Sequence, residues 1–222
     1  MYELLRGPLA SVSFIIFFIG CGIQIYRFTR VTQSIPQKGK SPWTAILKAG
    51  LGRTWKNLAD PSARRGSGVG MNPVISGVTL VFHLCLIFTP LFLLAHNMLL
   101  DWSWGVSLPS VSESLSDKLT IIVLFCGVFF LGRRLLVPKV RALTSLRDVG
   151  ICVLVFTPFL TGFIAYHQLF AYKTFLYLHI ISGELLMILI PFTMLNHMLY
   201  FFLNRFLIRS EYSLFPGTRT RA

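Results

Sequence analysis

The sequence predicts an all-α integral membrane protein, a five-helix bundle with its N-terminus outside and its C-terminus in the cytoplasm. Three observations carry that prediction. Of the 222 residues, 54% are hydrophobic and only 13% are charged, and the mean hydropathy is +0.68, a membrane balance rather than a soluble one. Five apolar runs are each long enough to cross about 30 Å of hydrocarbon. The basic residues sort by side in the pattern that fixes membrane orientation.

The runs fall near 8–26, 75–99, 119–137, 149–167 and 174–204 of a single domain, 1–222. In the first, FIIFFIGC also reads as a signal-peptide core ending in a lipoprotein-like Cys21. The residues that follow, GIQIYRF, stay apolar and then turn basic, which fits an uncleaved span. The second run contains Pro90. The fifth is overlong and contains Pro191, so it predicts a kink or an extension into water.

Arg27 to Arg65, Arg133 to Arg147 and Arg205 to Arg221 hold most of the basic residues, in the loop 27–74, the link after the third span and the tail. Only Arg6, Lys118 and Lys173 lie on the opposite side, with Asp101, Glu113 and Asp117. Positive segments stay inside. An odd number of spans agrees with ends on opposite sides. The net charge of +13 is therefore a topology signal and a docking surface, and nucleic acid is excluded as a partner.

The loop 27–74, the longest, carries SPWTAILKAGLGRTW, a short surface helix with Trp43 and Trp55, then the turn-rich PSARRGSGVGMNP. It reads either as a surface loop held by aromatics and anionic lipid or as a platform for a cytoplasmic partner. The opposite loop, 101–118, with Trp102 and Trp104, reads as an interface belt or a contact for an outside partner. Cys21, Cys85, Cys126 and Cys152 all lie in apolar runs, with no c-type haem, zinc or iron–sulfur spacing. They read as small buried hydrophobes.

All five histidines, His83, His96, His167, His179 and His197, lie within or at the ends of spans. Ionisable groups in lipid are costly and tend to be functional. Neutral imidazole is the commonest protein ligand for metal and suits haem iron axially. Depth pairs them. At about 1.5 Å per residue, His96 lies about 8 Å from Asp101 and His179 about 9 Å from Lys173, both on the outer side. His83 lies about 16 Å from the inner edge near Asn72, and His197 about 12 Å from Arg205. Two ligand pairs, one above the other, would clamp two haems between spans two and five. His179 and His197 are eighteen residues apart, about five helical turns, and so face one way. His83 and His96, thirteen apart, do not, unless Pro90 reorients the outer half. His167, close in depth to His96 and His179, is the alternative outer ligand, a residue lining a substrate pocket, or neither.

These residues carry a resemblance. FHLCLIFTPLFLLAHN in span two and LHIISGELLMILIPFTMLNHM in span five resemble the membrane cytochrome b of the respiratory nitrate reductase gamma-subunit family. They are most similar to the cytochrome b subunits of sulfate-reducer transmembrane redox complexes (Tmc, Hmc and Dsr type). The resemblance implies two haem b groups held by two histidines on span two and two on span five. It also implies a periplasmic multihaem cytochrome c and a cytoplasmic iron–sulfur subunit as partners in a hetero-oligomeric complex, with or without menaquinone.

Other residues near the expected haems have two readings each. Glu184, the one acidic residue deep in a span, is a proton carrier or quinone contact, or a neutral or paired carboxyl. Gly127, Gly162 and Gly183 give room for a macrocycle or for helix packing. Arg133 and Arg134 meet haem propionates or set topology. The function expected from all this is electron transfer across the bacterial cytoplasmic (inner) membrane, with lipid as constant partner and no catalytic residue of its own. The alternatives are a quinone-reactive cytochrome b anchor and a non-haem scaffold.

Overall fold

A computed structural model of the chain describes residues 2–33 and 73–207. The predicted surface helix and turn-rich stretch of loop 27–74, and the basic tail beyond 207, lie outside the described residues. Among the described residues there is no β-strand. Five helices are long and apolar enough to span a membrane: Tyr2–Val31, Pro73–Phe92, Glu113–Leu136, Leu146–Tyr166 and Tyr172–Phe192. The shortest, 20 residues, is about 30 Å long.

The helical elements are α1 (Ala10–Gln33), α2 (Pro73–Phe92), α3 (Leu94–Trp104), α4 (Glu113–Leu136), α5 (Pro138–Arg141), α6 (Leu146–Tyr166), α7 (Tyr172–Leu189) and α8 (His197–Leu207). A helical turn at Tyr2–Leu4 and a π-helical turn at Leu5–Leu9, which contains Pro8, precede α1. The chain divides into two compact units, residues 1–12 with 74–186 and residues 13–73 with 187–222.

The helix ends differ from the sequence expectation for local reasons. Span three begins at Glu113 rather than near 119, because a polar first turn does not register as apolar; its acid suits the N-terminal dipole and Arg133 and Arg134 suit the C-terminal one. Span four begins at Leu146, fixed by a capping box: Ser145 N donates to Asp148 Oδ2 at 2.9 Å and Asp148 N donates to Ser145 Oγ at 3.3 Å. Span one likewise begins several residues before 8, since Pro8 is absorbed in the π turn.

Spans two and five are not continuous. The second breaks at Leu93, whose ψ of 127° is extended, and resumes as α3, which ends at Gly105 in the left-handed region with φ 66°. The fifth stops at Leu189 and passes through two 3₁₀ turns, Ile190–Phe192 and Met194–Asn196, before α8. Pro191, without an N–H, ends the α-helical ladder there. The expectation that His179 and His197 share a face after five regular turns is therefore corrected, because no regular helix joins them.

In the first unit, Phe82 lies edge-on to Phe130 at 5.3 Å and tilted to Phe156 at 5.6 Å. Gly127 makes that packing possible: a Cβ there would come within 2.6 Å of the Phe156 ring. Gly127 thus seats an aromatic side chain rather than leaving room for a macrocycle. Cys85, Cys126 and fully buried Val123 complete this core, and all four cysteines are free thiols. Arg6, on the π turn, stacks over Trp102 at 3.4 Å, tying the start of span one to α3 by a cation–π contact.

In the second unit, α1 embraces the break in span five. Gly20 lies against Pro191, where a Cβ would fall 2.6 Å from the ring. Gln24 Nε2 donates to Pro191 O at 2.6 Å, and Tyr200 Oη donates to Gln24 Oε1 at 2.9 Å. One glutamine thus satisfies a carbonyl freed by the break and anchors α8, where Phe28 also packs on Tyr200 at 5.6 Å.

Candidate functional site

The break at Leu93 builds half of the site. A helix ending there leaves its last carbonyls without helical donors, and such groups are costly in hydrocarbon. Each of the last three finds a donor elsewhere. Pro90 O accepts from His96 Nδ1 at 2.9 Å, Leu91 O accepts from Asn97 Nδ2 at 3.1 Å, and Phe92 O accepts from Val111 N at 3.0 Å. Asn97, 3% exposed, also accepts from Leu108 N at 3.1 Å. The His96 ring is thus held by the backbone defect that precedes it.

His179 supplies the other half. Its Nδ1 donates to Pro158 O, on α6, at 2.8 Å. That approach needs a helix surface without a side chain, and Gly162 provides one: a Cβ there would lie 2.8 Å from His179 Nδ1 and 2.9 Å from its Cε1. Gly162 therefore makes room for the imidazole itself. Gly183 has nothing within 4 Å of where its Cβ would stand.

The His96 and His179 rings lie with centroids 5.9 Å apart and planes 19° from parallel. A carbonyl can only accept, so each Nδ1 carries the proton and each Nε2 holds the lone pair. His83 and His197 share this tautomer. His83 Nδ1 donates to Thr79 O at 2.7 Å, and His197 Nδ1 donates to Met194 O at 2.7 Å. The four imidazoles selected as ligands thus all have Nε2 as the basic nitrogen. A main-chain or carboxylate acceptor on the opposite ring nitrogen is the usual support of a metal-bound histidine.

His167 is reversed. Its Nε2 donates to Asp117 Oδ1 at 2.8 Å, and beside it Tyr166 Oη donates to Glu113 Oε2 at 3.0 Å. These two pairs join the C-terminal end of α6 to the first turns of α4. The structure therefore brings His96 and His179 together and gives His167 a different partner. His83 lies in the first unit and His197 in the second.

A metal bonded to two imidazoles at about 2.0–2.1 Å each sets ring centroids about 6 Å apart. The His96–His179 centroids stand at that spacing, so these two imidazoles are the residues that would hold a haem iron. Among the described residues no three His, Cys, Asp or Glu side chains gather as a metal site; a porphyrin, which brings its own four nitrogens, needs only two. Glu184, 9% exposed, has Oε1 buried without a hydrogen bond among the described residues. Asn97 and Gln24 were not singled out from sequence. The signal for each was a lone amide inside an apolar run.

No protein-family model matches the chain, and no solved structure matches it. A protein of Nitratidesulfovibrio vulgaris is 31% identical over 222 residues, covering 100% of this chain and 97% of its own length. Correspondence at that level from end to end means that the chain belongs to the same family as this N. vulgaris protein.

Proposed function

We propose that the chain is a di-haem b membrane subunit that carries electrons across the bacterial cytoplasmic membrane within a respiratory complex. The observation that carries this reading is the His96–His179 pair, 5.9 Å apart and near parallel, with both Nδ1 protons tied to main-chain oxygens. Haem iron, when bound, supplies the one-electron chemistry. The chain's own residues do the rest. The carbonyls of Pro90 and Pro158 fix ring orientation and tautomer and raise the basicity of Nε2. Gly162 admits the His179 ring. The resemblance assigns the other haem to His83 and His197, whose rings share that tautomer.

The distribution of basic residues orients the N-terminus outside and the C-terminus inside. The resemblance to sulfate-reducer cytochrome b subunits supports a periplasmic multihaem cytochrome c and a cytoplasmic iron–sulfur subunit as the two ends of the electron path. A quinone-reactive cytochrome b is the second reading, favoured by the unbonded Glu184 oxygen.

A pyridine haemochrome assay on purified protein tests the proposal. Two haems b per chain are expected, falling to one in His96→Ala, His179→Ala or His197→Ala. A colourless protein overturns it and leaves the scaffold function. Added menaquinol separates the two redox readings: haem reduction within seconds supports the quinone-reactive one, and an unchanged spectrum counts against it.

A further inference from the structure

The link between α4 and α6 joins two membrane spans, so it sits where hydrocarbon meets water. Its composition is lopsided. From Arg133 to Asp148 there are five cations, Arg133, Arg134, Lys139, Arg141 and Arg147, and one acid. That acid, Asp148, spends its Oδ2 on Ser145, accepting from both its N and its Oγ. Among the described residues none of the five cations meets a carboxylate within ion-pair distance.

Charge alone would satisfy membrane topology. The link carries more than charge. Leu136 is 81% exposed, Leu143 87% and Leu146 91%, and exposed Lys139, Arg141 and Arg147 lie in the same short stretch. Leu136, Pro138, Arg141 and Ala142 line a shallow groove that mixes apolar walls with a guanidinium. Three exposed leucines beside three cations that meet no carboxylate at ion-pair distance among the described residues suit a ligand that is anionic at one end and hydrocarbon at the other. An acidic protein surface would answer the cations and leave the leucines in water, at a cost set by their apolar area. A phospholipid answers both.

We propose that this elbow binds an anionic phospholipid, with Lys139, Arg141 and Arg147 around the headgroup phosphate and Leu136, Leu143 and Leu146 against the acyl chains. Basic pockets beside transmembrane helices hold such headgroups. The site is independent of the haem reading.

The full chain, reconstituted in nanodiscs of equal phosphatidylcholine and phosphatidylglycerol and then extracted in mild detergent, is assayed for retained lipid by mass spectrometry. Wild-type protein is expected to retain phosphatidylglycerol over phosphatidylcholine. Removing a cation weakens retention roughly fivefold, the scale for one basic side chain near an anionic surface. The triple variant Lys139→Gln, Arg141→Gln, Arg147→Gln therefore loses it on the order of a hundredfold. Lys139→Arg and Arg147→Lys together retain it. Leu143→Ser with Leu146→Ser, which keeps every charge, lowers retention of the intact lipid but not binding of glycerol phosphate, the free headgroup probe. Helicity by circular dichroism checks that each variant is folded. Equal retention of both lipids by wild-type, or unchanged retention in the triple variant, overturns the proposal and leaves the cations to an acidic protein partner. Glycerol phosphate displacing the lipid at equal concentration overturns it in favour of a simple phosphate site.

Discussion

Gly162→Ala is the sharpest test of how His179 is held. The new methyl would stand 2.8 Å from Nδ1 and 2.9 Å from Cε1, against an ordinary contact distance that begins at 3.4 Å. The ring must therefore retreat by the difference, 3.4 − 2.8, or 0.6 Å. Its Nδ1 bond to Pro158 O, now 2.8 Å, would stretch to the limit of useful geometry, about 3.2 Å or beyond. Losing that bond costs about 1 kcal/mol, and forcing a methyl into a packed contact costs about 1–3 kcal/mol. Alanine returns about 0.5–1 kcal/mol of helix propensity. The net loss is about 1–3 kcal/mol, taking the propensity gain from the sum of the two costs. That corresponds to roughly five- to hundred-and-fifty-fold weaker retention of a ligand bound by His179. The measurements are thermal unfolding in detergent and haem per chain. Gly150→Ala is the control on the same helix, with nothing within 4 Å, and should be neutral or slightly stabilising. If Gly162→Ala melts like the control and keeps its full haem complement, the imidazole does not rest on this backbone and the argument fails.

Three further outcomes are expected. Asn97→Leu strands Leu91 O and Leu108 N, lowering stability by about 2–4 kcal/mol, roughly 1–2 for each unsatisfied group; an unchanged melting temperature would show that the Leu93 break is held by something else. His167→Ala removes a half-exposed pair, 35% and 27% exposed, so it should change stability by less than about 1 kcal/mol and leave haem content intact; loss of one haem would restore His167 as a ligand. Gln24→Leu unties Pro191 O and Tyr200 Oη, and should cost about 2–3 kcal/mol and loosen the haem proposed for His197, read as a selective drop in b-type absorbance.

The five long apolar helices were legible because hydrocarbon thickness imposes a length and a composition on any span. Their ends were less so: Glu113 to Lys118 is polar yet helical, because the first turn of α4 answers to its dipole rather than to lipid. Pro90 and Pro191 announced that spans two and five were irregular. What they could not announce was where the chain breaks or which donors repair it, since Leu93 is an ordinary helix former and Val111 donates to Phe92 O from nineteen residues away. The pairing of His96 with His179 followed from depth alone. The role of Gly162 did not, because it depends on contact between α6 and α7, and spacing within one helix carries no information about a neighbour. The five-turn argument for His179 and His197 failed for a related reason: it assumed a regular pitch through Pro191, which the chain does not keep.

The oxygens that steer these imidazoles belong to the polypeptide itself, not to aspartates or serines. A main-chain acceptor is indifferent to the letter written at its position. Mutation can rewrite most of the surrounding alphabet without turning either ring, provided the interruption after Pro90 and the bare patch at Gly162 persist. Divergent copies of this protein can thus change nearly all their lipid-facing text and still present the same two nitrogens.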